Sequence, residues 1–144
     1  MNRLVDSFGR QINYVRLAVT DRCNLRCQYC MPAHGIEIVP RKELLTYKEM
    51  YRVIRVLTEL GVNKIRLTGG EPFVRKDFVG FLEMLSFNDL LEDINITTNG
   101  ALISNHIETL EKLKKQCLIR ITSQFNSLTP SFPTLPYSHK RSTP

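Results

Sequence analysis

With 144 residues, 42% of them hydrophobic and 24% charged, the chain has the length and composition of one soluble globular domain and is too short for most two-domain enzymes. No apolar run reaches bilayer-crossing length and the opening MNRLVDSFGR lacks a secretory h-region, so the expected setting is the cytoplasm, with reduced thiols and no membrane partner. A formal net charge of +6 favours anionic partners, and nucleotides, phosphates and nucleic acid all fit that sign.

Residues 14–20 (YVRLAVT) alternate as a strand and lead straight into a run of cysteines, Cys23-Asn24-Leu25-Arg26-Cys27-Gln28-Tyr29-Cys30. Thr46 followed by Glu49 reads as a capping box for a helix to about Leu60, with Met50, Val53, Ile54 and Leu57 at helical spacing and Gly61 as its stop. A second strand over 63–68 precedes Gly69-Gly70-Glu71-Pro72 and a helix near 76–87. A third strand near 93–98 precedes Asn99-Gly100 and a helix near 104–115, and residues 118–122 begin a fourth strand. Lys112, Lys114 and Lys115 end that last helix, where cations complement the helix dipole; they read as a solvated terminus rather than a nucleic-acid surface. His34, His106 and His139 show no catalytic pairing.

Strands alternating with helices of this length predict parallel βαβ units. Strands buried on both faces would be almost continuously apolar. Here Val15, Leu17 and Val19 oppose Arg16, Ala18 and Thr20; Ile65 and Leu67 oppose Arg66 and Thr68; Ile94 and Ile96 oppose Asn95 and Thr97. One apolar and one polar face favour a partial barrel with a polar lumen over a doubly wound sheet. In such barrels the functional loops gather at the C-terminal ends of the strands, and all three conspicuous loops follow strands. Arg16 and Arg66 on a lumen face would be costly without an anion, which suggests a polyanionic substrate; pairing with carboxylates such as Glu71 or Asp93 is the structural alternative. The paired glycines at 69 and 70 leave no Cβ in the way of a ligand's amino group, although a plain turn would also use them.

The cysteine run carries the most chemistry. Three thiolates at C-x₃-C-x₂-C can hold three irons of a [4Fe–4S] cubane and leave the fourth open to a ligand. A structural zinc site completed by His34 or Cys117 is the alternative, but zinc motifs usually come as two separated pairs and no second pair exists. A disulfide framework does not suit the thiol count or the missing signal peptide.

C-x₃-C-x₂-C with an aromatic residue before the third cysteine resembles the signature of the radical S-adenosylmethionine (SAM) superfamily. Asp6-Ser7-Phe8-Gly9-Arg10, Arg16-Leu17, Thr20-Asp21-Arg22-Cys23, Tyr29-Cys30-Met31-Pro32, Lys64 to Pro72 and Thr97-Thr98-Asn99-Gly100 stand in order and resemble the GTP 3′,8-cyclase family of molybdenum cofactor biosynthesis over about residues 5–121. The resemblance implies an incomplete α/β (βα) barrel of the radical SAM type, about three and a half βα units with parallel strands. It implies Cys23, Cys27 and Cys30 as ligands of a [4Fe–4S] cluster, SAM contacts at Tyr29 and Gly70, and GTP contacts at Arg16, Arg66 and Thr97. It also implies an electron donor for the cluster, 5′-deoxyadenosyl radical chemistry on GTP and, for the full-length family, a homodimer. Another radical SAM activity, such as peptide maturation, and a basic zinc-binding interaction module are the competing readings.

The chain also departs from that family, which is more than twice as long and holds a second cluster through a C-terminal cysteine trio absent here. Residues 1–121 read as the N-terminal part of a radical SAM core. No acidic residue follows Glu111, and residues 122–144 are rich in Ser, Thr and Pro, expected to be disordered or the product of a frameshift or premature end near residues 116–123. Ser123 to Ser127 give no clean match to the SAM-contacting serine motif expected there. An open sheet edge and an uncovered apolar face are expected to make the isolated chain unstable or prone to association.

Overall fold

In the computed structural model, residues 3–27, 30, 36–114 and 118–123 are described. Tyr29, His34, Lys115, Cys117 and the Ser/Thr/Pro-rich tail beyond Ser123 lie outside them, so the readings placed on those residues do too.

Among the described residues four strands form one sheet in chain order: β1 (Tyr14–Thr20), β2 (Lys64–Gly69), β3 (Asp93–Thr98) and β4 (Ile119–Ser123), each parallel to its neighbour. Parallel neighbours need a crossover, and three helices supply it: α1 (Tyr47–Glu59), α2 (Phe78–Ser86) and α3 (Ile107–Lys114). This is the expected α/β architecture, a partial (βα) barrel in which every strand after the first is reached through a helix.

Local chemistry explains the best-read element. Thr46 Oγ1 accepts from Glu49 N at 3.3 Å, while the Glu49 carboxylate accepts from Thr46 N at 2.7 Å, a complete capping box at the start of α1. The hydrogen bonds that Thr46 donates to that carboxylate, from its backbone N foremost and then from Oγ1 at 2.8 Å, hold the Glu49 carboxyl below its ordinary value of 4.5. Its contribution is therefore full above that pH and fades as the pH falls through the lowered value. Thr46→Ala should cost about 1 kcal/mol of stability in urea denaturation at neutral pH, and the loss should shrink in acid as Glu49 takes up its proton.

The other helices are shorter than their periodicity suggests. A 3₁₀ turn at Pro72–Val74 and a left-handed Asp77 (φ 60°) delay α2 to Phe78. A second 3₁₀ turn, Ile103–His106, delays α3 to Ile107. His106 stacks on Phe73, ring centroids 5.6 Å apart, so it packs rather than catalyses.

The core lies on one side of the sheet. Val19, Ile65, Leu67, Ile94, Ile96 and Ile119 meet Met50 and Ile54 of α1, Phe78, Phe81, Leu82 and Leu85 of α2, and Leu110 and Leu113 of α3. Tyr47 stacks on Phe81 at 4.6 Å. The apolar face is thus covered across β1, β2 and β3, and the uncovered part is narrower than expected: Ile121 of β4 remains 39% exposed. The polar face is the one left without helices, as the strand alternation implied. Along it the register sets Arg16 beside Arg66, Arg66 beside Asn95, and Asn95 beside Arg120, one polar row running across all four strands.

Candidate functional site

The site is assembled where the β1 and β2 chain ends cross. Gly70 N donates to Thr20 O at 2.8 Å and Glu71 N to Arg22 O at 2.7 Å, so the loop after β2 is stitched onto the segment that opens the cysteine loop. A Cβ on Gly69 would stand 2.1 Å from Thr20 O, and one on Gly70 2.2 Å from Arg22 O. The glycine pair is therefore required first by this chain-on-chain contact, a reason different from the ligand approach inferred from sequence.

Above that crossing lies a cavity of about 540 Å³ lined by Cys23, Cys27 and Cys30 together with Gly69, Gly70 and Asp21. Leu25, Ile36 and Leu44 make its apolar walls. All three cysteines are free thiols. Among the described residues no three His, Cys, Asp or Glu side chains converge closely enough to hold one metal ion. Three thiolates from one loop can each take a different iron of a cubane. Cys23 is the best supported sulfur: Leu25 N donates to it at 3.5 Å and Asn99 Nδ2 at 3.8 Å. Asp21 Oδ2 accepts from Val39 N, while Asp21 Oδ1 is buried without a partner, an acceptor left for a ligand. Thiols, exposed glycine backbone and an orphaned acceptor fit a cluster with a small cationic ligand beside it.

Glu71 organises the floor. Its side chain is 0% exposed and accepts from Phe73 N at 3.1 Å, Thr98 Oγ1 at 2.7 Å and Asn99 N at 2.7 Å. It thereby ties the loop after β2 to the loop after β3, whose Asn99 amide reaches Asn24 Oδ1 at 2.8 Å as well as the Cys23 sulfur. In the sequence Glu71 reads as part of the Gly69–Pro72 loop and as a possible partner for Arg16 or Arg66; its ties to the loop after β3, and the part Asn99 plays in them, are long-range.

The arginines resolve differently from one another. Asp93 pairs with Arg120, whose Nε donates to Asp93 Oδ1 at 3.1 Å, and this pairing raises the Arg120 pKa. Glu71 pairs with no cation among the described residues. Arg16 and Arg66 therefore have no carboxylate partner among the described residues. Arg66 lies 6.0 Å from the Tyr14 ring centroid, and its Nε is buried without a hydrogen-bond partner. Thr97 Oγ1 is buried and unpartnered too. These three residues share the polar face but do not line the cysteine cavity. Ala18, two residues beyond Arg16 and on the same face, does, so the arginine row begins about 7 Å along the strand from that wall.

Asp6 of the DSFGR segment plays a local part. It accepts from Phe8 N and Arg10 N, both at 2.9 Å, and from Arg10 Nε at 2.7 Å, and these bonds, Arg10 foremost, lower its pKa. The segment is a self-contained turn closed by the Val5–Gln11 bridge.

Similarity to known proteins agrees with this geometry. The chain is 46% identical over 127 residues to a GTP 3′,8-cyclase of Desulforamulus reducens, an overlap covering 88% of this chain and 38% of that one. It is 52% identical over 100 residues to a GTP 3′,8-cyclase of Geobacter sulfurreducens, covering 69% and 31% respectively. It is 49% identical over 109 residues to molybdenum cofactor biosynthesis protein 1 of Drosophila melanogaster, covering 76% and 19%. The chain thus matches about a third of the bacterial relatives' length, 38% and 31%. Residues 17–143 match the radical SAM superfamily from within β1 onward, cysteine loop included, and on that match the chain belongs to the radical SAM superfamily.

Proposed function

We propose that this chain carries the radical-generating part of a GTP 3′,8-cyclase, an enzyme converting GTP to (8S)-3′,8-cyclo-7,8-dihydroguanosine 5′-triphosphate in molybdenum cofactor biosynthesis. Cys23, Cys27 and Cys30 would hold a [4Fe–4S] cluster, with SAM at its open iron in contact with Gly70 and Tyr29. When bound and reduced by an electron donor, that pair supplies a 5′-deoxyadenosyl radical. The chain's own residues bind and orient: Leu25, Ile36 and Leu44 exclude water, and Asp21 Oδ1 offers an acceptor to SAM's donor groups. Arg16 and Arg66 would take the triphosphate through bidentate guanidinium contacts, with the Thr97 hydroxyl beside them.

The observation that carries the reading is the register-matched Arg16–Arg66 pair, unneutralised by any described carboxylate, on the face that ends at the cysteine cavity. Among the described residues no helix is long and apolar enough to cross a membrane, and thiolate ligands suit a reducing cytoplasm. The reading involves no nucleic acid, and it leaves homodimerisation to the full-length family.

Anaerobic reconstitution with iron and sulfide tests it. The expected result is about four irons per chain with a spectrum altered by SAM, and loss of that iron in Cys23→Ala, Cys27→Ala and Cys30→Ala. One zinc and no iron would overturn the cluster. Arg16→Ala and Arg66→Ala should each weaken GTP binding about tenfold or more while leaving the iron content unchanged. GTP-independent 5′-deoxyadenosine formation would point to a different radical SAM substrate.

A further inference from the structure

A second cavity, of about 360 Å³, shares Thr20 and Leu44 with the cysteine cavity, so the two hollows have a common wall. Its remaining lining is strongly basic: Arg22, Arg41, Arg75 and Lys76 face it, with Asp77 as the one carboxylate. Among the described residues none of these five forms an ion pair. Arg75 is held by the Val19 and Leu45 carbonyls and stacks 4.4 Å from the Tyr47 ring centroid. Two of its N–H groups go to carbonyls, and no described carboxylate neutralises its charge.

Two further donors wait in the same wall. Arg22 Nε and Tyr47 Oη are both buried without a partner. Arginine Nε can only donate, and burial pushes the Tyr47 phenol pKa up, which keeps its proton in place. Buried donors left unmade are costly, so the missing partner is an acceptor. The helices add to the field. Thr46 and Asp77, the residues that precede the first turns of α1 and α2, both line the cavity, so the positive ends of two helices converge on it.

We propose that this cavity is an oxyanion site, distinct from the arginine row of the sheet, that takes the phosphate group of a small molecule. Four cations against one carboxylate favour a dianion over a singly charged carboxylate, and the two buried unpartnered atoms of the wall, Arg22 Nε and Tyr47 Oη, each carry a proton to donate. The site also has a route to the cysteines: Arg22 immediately precedes Cys23, and its carbonyl accepts from Glu71 N at 2.7 Å. An anion on the Arg22 guanidinium would pin the residue from which the cysteine loop departs.

The test is phosphorus NMR titration of the whole chain with inorganic phosphate at fixed ionic strength, alongside sulfate and acetate as competitors. Saturable binding is expected, displaced by sulfate and hardly by acetate. Arg41→Ala and Lys76→Ala, both at exposed positions outside the proposed cluster site, should each weaken it about three- to tenfold, and the double variant should abolish it. Lys48→Ala, on α1 and not part of the cavity's lining, should leave it nearly unchanged. No saturable binding to the folded chain, equal competition by acetate, or an equal loss in Lys48→Ala would overturn the proposal.

Discussion

Gly70→Ala is expected to lower stability by about 3–5 kcal/mol, combining backbone displacement with the loss of two loop hydrogen bonds. The new methyl would stand 2.2 Å from Arg22 O and 2.5 Å from Arg22 C, both main-chain atoms that no rotamer change can move aside. Relief requires the β2 loop to retreat from the β1 end, breaking Gly70 N to Thr20 O and Glu71 N to Arg22 O together. Gly69→Ala should behave alike, with 2.1 Å to Thr20 O and a φ of +135° that an alanine resists. Gly80 provides the control. It lies inside α2, and a Cβ there meets nothing within 4 Å, so Gly80→Ala should stabilise by about 0.5–1 kcal/mol. Thermal midpoints of the three variants decide the matter: a fall of about 10 °C for the first two and a rise for the third. Equal midpoints for Gly70→Ala and the parent would show that the crossing of the two loops is not held as described.

The contrast between these glycines marks how far sequence could be read. Strand alternation and the capping box are local patterns, and they placed β1, β3 and α1 with the residues that now form the core. The start of α2 was not legible because it is set by Glu71, whose carboxylate caps the Pro72–Val74 turn while tied to β3. The cysteine cavity was legible as chemistry, since three thiols within one loop need no tertiary knowledge. Its supports were not. The strand pattern put their loops on one rim, but Asn99 and Cys23 are 76 positions apart, and nothing local says that this amide reaches that sulfur. The arginines illustrate the same limit. Sequence offered Asp93 as a possible partner for Arg16 or Arg66, but register gives it to Arg120, which lies beside Asn95 at the next strand. The same long-range convergence, from positions 22, 41, 75 and 76, builds the basic cavity.

Glu71 is where stability and the site meet, and removing its carboxylate is the second large effect expected. Glu71→Ala would leave Phe73 N, Thr98 Oγ1 and Asn99 N without their acceptor in a place water does not reach, costing about 3–5 kcal/mol. Glu71→Gln is the sharper probe because it keeps the volume. Its amide has one oxygen in place of two acceptors, so it must turn an N–H₂ toward at least one donor, for a loss of about 1–3 kcal/mol. Thr98→Val removes a single donor and should cost less than either. The consequence for the site follows from Asn99. Its backbone is fixed by Glu71, and its amide reaches the Cys23 sulfur, so loosening the one frees the other. In Glu71→Gln, alkylation of Cys23 should speed up several-fold relative to Cys30, which is already exposed and has no such support among the described residues. Rates measured by mass spectrometry under native conditions separate this from global unfolding, which would accelerate all the thiols together. A Glu71→Gln chain with parental stability and unchanged Cys23 labelling would mean that the carboxylate merely fills space, and that the cysteine loop is held by its own backbone alone.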